Sequence, residues 1–354
     1  MSDPSATTTP ACDFTQELRL AVVMYGGVSL AVYMNGVAQE LLRLVRASAP
    51  ATRPGRSTEP VPAHLAEADL RGSERAYRRL ARILGADSDW RALADDPNAP
   101  LRTRVVIDIL AGTSAGGINA VFLAKALAND QDIDRLRGLW LRKGDLDRLL
   151  NRAQQPESLL DGQQMLDDLL EAFDAMDADR KPAGQSPYVD ELDLHVTATD
   201  IRGRAEALPL GESGANERRH RHVFRFVYAA AQAVGDDAND FTWRDNPLLA
   251  FAARCTSSFP VAFPPARLGD LDAAATAKRK PDAARLRRLF RCWNDDDPAA
   301  SVGARAFGDG GYLDNKPFSQ ATNTLARRRA DLPVVRRLVY VEPVPEHPER
   351  AEDP

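Results

Sequence analysis

The sequence predicts a layered α/β fold, and three stretches carry that prediction. Val105–Gly112 is an apolar, β-branched run of strand length, and it passes through Thr113-Ser114-Ala115-Gly116-Gly117 into the helix formers Ile118–Leu127. Leu18–Met24 repeats that order: a buried-strand pattern, the glycine pair Gly26-Gly27, then a helical pattern from Leu30 towards Arg46. Arg336–Val341 reads as a last strand. The run at 105–112 is apolar almost throughout and the helix after it is apolar on several faces, so both belong at the centre of the layers.

The remaining elements follow from local signals. Residues 1–16 are polar and read as a disordered tail, and Arg53–Pro62 holds too many helix and strand breakers to form an element. Helical patterns cover about 65–84, 132–142, 145–151 and 161–176, the last with Asp161 as its N-cap. Strands are expected near 192–199, 222–229 and 335–341. Pro247 and Pro317 suit the first turns of helices reaching about 257 and 328. A single domain over 17–343 is preferred to two, because the segments that carry chemistry span it from Gly26 to Asp309. Residues 344–354 read as a second disordered tail.

Composition narrows the class. Of 354 residues 44% are apolar, enough for a packed core, and 27% are charged. Mean hydropathy is −0.37. No run of apolar residues is long enough for a transmembrane helix, and the N-terminus lacks the basic region of a secretory signal. Cys12, Cys255 and Cys292 are unclustered, which fits reduced thiols in a cytoplasmic protein and offers no metal-ligand spacing. A net charge of −5 disfavours broad nucleic-acid binding.

Three motifs carry chemistry. Gly112-x-Ser114-x-Gly116 sits between a strand and a helix, the setting in which a serine is lifted off the backbone as a nucleophile. With Gly and Ser each at roughly 7% of ordinary sequences, the bare pattern arises by chance in about one such chain in ten. Its context therefore does the discriminating, and a strand-to-helix turn merely capped by Ser114 is the competing reading. Gly26 and Gly27 follow a strand and precede a helix, which frees backbone N–H groups for a developing oxyanion. A phosphate loop is disfavoured there, since neither G-x-G-x-x-G nor G-K-[ST] is present. In Phe307-Gly308-Asp309-Gly310-Gly311 a carboxylate is held between glycines, although this stretch alone also fits an Asp-Gly turn between strands.

These elements, in this order, resemble the patatin-like phospholipase family over about residues 18–341. Val196–Asp200 and Cys255–Pro265 look like two further segments of that family. The resemblance implies a three-layer α/β fold with a central, mostly parallel sheet flanked by helices. It implies a serine lipid acyl hydrolase, acting on a lipid ester or phospholipid without metal or organic cofactor. Carried over residue by residue, it implies Ser114 as nucleophile and Asp309 as base. Gly26, Gly27, Val28 and Ala115 would be oxyanion donors, with Gly112, Gly116, Gly310 and Gly311 as motif glycines. The family's Gly-Gly-Gly-x-Arg/Lys-Gly loop is here Tyr25-Gly26-Gly27-Val28-Ser29-Leu30, so the loop cation is missing and a phospholipid head-group preference is in doubt. The tract from Tyr25 to Ala31 resembles a bacterial subgroup whose longer members carry additional C-terminal sequence, which leaves room for this chain being a piece of a longer protein.

A carboxylate alone is a weak base, and burial would raise its pKa towards its task. None of His64, His195, His220, His222 and His347 stands in the strand-end setting of an α/β-hydrolase histidine. A histidine-triad esterase and a catalytically silent, membrane-tethering module are the alternatives. Within residues 283–293, Leu286, Leu289, Phe290 and Trp293 fall at helical spacing among arginines. That stripe suits either peripheral contact with an anionic membrane or packing on the core. Arg218-Arg219-His220-Arg221-His222 reads as a solvated approach to a strand.

Overall fold

The computed structural model describes residues 16–27, 31–49, 65–86, 90–97, 99–134, 136, 149–178, 186–210, 213–230, 239–273, 281, 283–290, 303, 305–329 and 333–342. In chain order it begins with β1 (Gln16–Met24), α1 (Ala31–Ser48), α2 (Ser73–Ile83), α3 (Trp90–Asp95), β2 (Thr103–Gly112) and α4 (Ala115–Asn129). There follow α5 (Gly162–Ala178), β3 (Glu191–Leu210), β4 (Ser213–Ala229), α6 (Asn246–Thr256), β5 (Ala266–Arg267) and α7 (Asp270–Ala273). The chain closes with α8 (Ala283–Leu289), β6 (Ala306–Asp309), α9 (Phe318–Leu325) and β7 (Val334–Val341).

The strands form one seven-stranded sheet in the order β5-β6-β3-β2-β1-β7, with β4 also paired to β3. β7, β1, β2 and β3 are mutually parallel, while β4, β5 and β6 join antiparallel. This is the mixed, mostly parallel core that strand–helix alternation predicts. Every residue of β2 is buried, as is α4 from Ala115 through Ala128, so the apolar strand and the all-round apolar helix do occupy the centre. Lys125 is the one charged residue within α4: its Nζ, wholly buried, donates to the carbonyl of Phe241 at 2.9 Å and pairs with Asp177 at 3.0 Å.

Several expectations need adjustment. The helical pattern at 65–84 divides into a 3-10 turn at Glu67–Asp69 and α2, separated by Gly72 at a left-handed φ of 52°. Asp161 caps α5 as expected, accepting the amides of Gln163 and Gln164 at 2.9 and 3.0 Å. The patterns at 132–142 and 145–151 lie largely outside the described residues, as do the tail residues 1–15 and 343–354; Gln16 already belongs to β1. The strands expected at 192–199 and 222–229 are parts of a longer β3–β4 hairpin, whose register shifts between Thr199 and Arg204.

For α8 the structure favours the second of the two readings, packing on the core. Leu286, Leu289 and Phe290 are buried, and the Phe290 ring packs with Phe224, Phe307 and His222. Arg285 and Arg288 pair with Asp245 and Asp240. The stripe that suited a membrane surface faces the core instead, because an aromatic cluster supplies its apolar partner; Trp293 lies outside the described residues. Among the described residues no helix is long and apolar enough to cross a membrane.

Candidate active site

Strand β3 brings the site together. β4 occupies one of its edges from Glu191 onward, so β2 and β6 share the other. β2 runs parallel to β3 and ends with Gly112 opposite Val196. β6 runs the other way and ends with Asp309 opposite Ala198. The two strand ends therefore meet tip to tip at Thr197. The space there is tight: a Cβ on Gly310 would lie 2.2 Å from the Thr197 Oγ1 and 2.5 Å from its carbonyl oxygen, so only glycine can begin the turn after Asp309.

Ser114 follows the tip of β2 at φ 52° and ψ −128°, backbone that a non-glycine residue rarely adopts. Such a conformation costs on the order of 1–3 kcal/mol and persists only where its surroundings hold it. Here the Ser114 amide donates to the Thr256 Oγ1 at 2.7 Å, and the Ser114 carbonyl accepts the Ile118 amide at 3.0 Å. Gly116 lets the start of α4 press on the end of β1, where a Cβ would come within 2.4 Å of the Met24 carbonyl oxygen. The Ser114 side chain makes no capping bond to α4, so the turn is not explained by helix capping. Next to it, Thr113 joins Thr197 at 2.7 Å and donates to the Asp314 carbonyl at 2.9 Å, tying the two tips together.

Asp309 is 3% exposed and Ser114 7%. Burial pushes the Asp309 carboxyl up to about 6, while the Gly311 amide and the Ser114 hydroxyl beside it pull the other way. Oδ1 accepts the Gly311 amide at 2.6 Å. Oδ2 is buried and completes no hydrogen bond of ordinary geometry. A buried carboxylate oxygen left in that state is a natural acceptor for a proton delivered from the cavity.

Ser114, Asp309, Gly26, Gly27 and Gly311 line one cavity of about 290 Å³. The Gly26 amide is already engaged, donating to the Asn315 carbonyl at 3.3 Å, which argues against its expected donor role. Ala115 is buried at the first position of α4, where its amide has no intrahelical acceptor. Val28 lies outside the described residues. Phe259, Pro260, Tyr312 and Asn315 complete the wall. None of these four, nor Thr256, was singled out by role from the sequence. The available signals were weak: Thr256 falls in the 255–265 segment, and Asn315 shares a glycine-rich turn with Asp309.

The three described histidines do not line this cavity. His195 bonds the Thr324 hydroxyl at 2.9 Å, and His220 meets the Asp200 carbonyl at 2.9 Å. Burial pushes His195 down to about 4 and His222, among its phenylalanines, down to about 3. His64 and His347 are outside the described residues.

A strained serine at a strand-to-helix turn, sharing a cavity with a buried aspartate on a mostly parallel sheet, defines the class of protein, and comparison with known sequences agrees. The sequence pattern of patatin-like phospholipases matches residues 90–322, and the chain belongs to that family. The chain is 32% identical over 351 residues to a Mycobacterium tuberculosis protein described as the uncharacterized membrane protein Rv3479. That alignment takes in 94% of this chain but 28% of the relative, so the chain spans under a third of the relative's length. No solved structure matches it. Family membership supports lipid acyl hydrolysis at the level of the family.

Proposed function

We propose that this chain is a serine lipid acyl hydrolase of phospholipase A type, working through a Ser114–Asp309 dyad. The observation that carries this reading is the cavity shared by Ser114 at its strained turn and by the buried carboxylate of Asp309. Asp309 takes the hydroxyl proton as Ser114 Oγ attacks the ester carbonyl. The negative charge that develops on the carbonyl oxygen falls among backbone donors, with the Gly27 and Ala115 amides in that role, and the start of α4 adds its dipole. Collapse expels the alcohol, which takes the proton back from Asp309 and leaves an acyl-Ser114 ester. Asp309 then deprotonates a water that attacks this ester, and the fatty acid leaves as Ser114 recovers its proton.

The test is turnover of a phospholipid in mixed micelles together with labelling by a fluorophosphonate. Ser114→Ala is expected to abolish both. Asp309→Asn is expected to lower kcat by about 10²- to 10⁴-fold, the range in which a positioned general base acts. Full activity in either folded variant would rule the dyad out.

A further inference from the structure

The Ser114 cavity adjoins a larger one of about 1230 Å³, and Pro260 and Tyr312 stand in the walls of both. The smaller cavity is at the low end of ordinary ligand pockets, roughly 300–1,000 Å³, so it seats a reacting ester and little more. The rest of any lipid has to lie in the larger groove. Around these two mouths Ile201, Phe259, Val261, Tyr312 and Leu313 are all exposed, Val261 by 84%. Single exposed apolar residues are ordinary, but a group ringing one opening marks a surface for an apolar partner.

The opposite wall is basic. β4 contributes Arg218, Arg219 and Arg221 to the groove. Arg219 is tied to Glu206 at 2.9 Å. Arg218 donates to the carbonyl of Arg202 at 2.9 Å, which leaves its charge uncancelled. Arg221 pairs in register with Thr199, and among the described residues neither it nor Arg218 forms a salt bridge. Arg221 has Asp314 within electrostatic reach, and Glu157 and Glu217 also border the groove. The positive charge is therefore concentrated on Arg218 and Arg221. The sequence alone reads this cluster as solvated; the fold sets it along a groove that leads to Ser114.

We propose that the groove seats a phospholipid whose headgroup carries net negative charge, the phosphate against Arg218 and Arg221 and the acyl ester reaching Ser114. The loop cation missing at Ser29 would then have its counterpart on β4. This assignment rests on the reading of Ser114 as the acyl-transfer nucleophile.

Its test is co-sedimentation of the purified chain, at physiological salt, with phosphatidylcholine vesicles and with vesicles enriched in phosphatidylglycerol. Wild type is expected to bind the anionic vesicles more tightly. Arg218→Gln/Arg221→Gln is expected to lose about thirtyfold of that affinity, given roughly 1 kcal/mol per cation near an anionic surface. Arg221→Lys, which keeps the charge, should keep most of the preference. Should the double variant fail to fold, Arg221→Gln, altered at an exposed side chain, carries the comparison with a loss of about fivefold. Equal binding of wild type to both vesicles, or an unchanged preference in the neutralised variants, overturns the assignment. Lipid turnover by wild type separates the two readings. A charge-dependent vesicle preference without turnover would refute the nucleophile and leave the groove, whereas turnover without any preference would do the reverse.

Discussion

In the proposed mechanism Asp309 takes a proton near neutrality, where an ordinary carboxylate is a poor base. Its burial answers that difficulty, since the pKa is pushed up to about 6. The carboxylate form needed for proton abstraction is populated above about 6 and lost below it. kcat/KM is therefore expected to fall by about tenfold per pH unit on the acid side of pH 6. His195 and His222, pushed down to about 4 and 3, supply no limb near 6. A limb near 6 that survives Asp309→Asn would assign the titration elsewhere. Stability carries the matching sign: the raised acid favours folding below the ordinary carboxylate range, and this contribution is lost as pH rises through about 6. At this scale the sequence was legible where a residue sits inside a local signature, as Ser114 and Asp309 do. Thr256 and Asn315 act on backbone groups far away in the chain, and no spacing records that.

At the scale of elements, α8 shows how far periodicity reaches. Apolar residues three and four apart identify a helix with one apolar face, but a bilayer and a protein core present the same demand to it. Only the aromatic cluster of Phe224, Phe307 and His222 decides the case. Phe290→Ala is expected to destabilise the protein by about 3 kcal/mol, read from urea denaturation, because a fully buried ring leaves a cavity behind. A cost within the range of surface substitutions, about 0.5 kcal/mol, would mean that the ring is not in the core. The β3–β4 hairpin was half legible for a related reason. Alternation marks the buried parts of both strands, whereas beyond the register shift at Thr199 the residues Ile201, Arg202, Glu217, Arg218 and Arg219 are exposed and leave no alternation to read.

Over the whole molecule, the sheet and α9 are clamped at one carboxylate. The register of β1 against β2 slips between Leu20 and Ala21, and Asp108 is the residue left over on β2. It pairs with Arg19 of β1 at 3.4 Å, with Arg336 of β7 at 3.2 Å and with Arg328, just beyond α9, at 3.9 Å. Asp108→Ala takes from Arg336 its carboxylate partner, while Arg19 keeps Glu17 at 2.7 Å and Arg328 keeps Asp193 at 2.7 Å, and is expected to cost about 2 kcal/mol of unfolding free energy. An unchanged thermal midpoint would show the clamp to be ornamental. Its members are spread from residue 19 to residue 336, so an apolar strand with one acid in it gave no hint of them.

Because β2 and β6 abut end to end against a single strand, the Ser114 and Asp309 side chains are aimed by a few rungs of backbone and not by the long excursion of chain between them. Phe307, Gly308 and Asp309 need only find Asp200, Thr199 and Ala198. Whatever the intervening segment does, whether it lengthens, trades an arm for a lid or acquires a new selectivity, the machinery stays in focus.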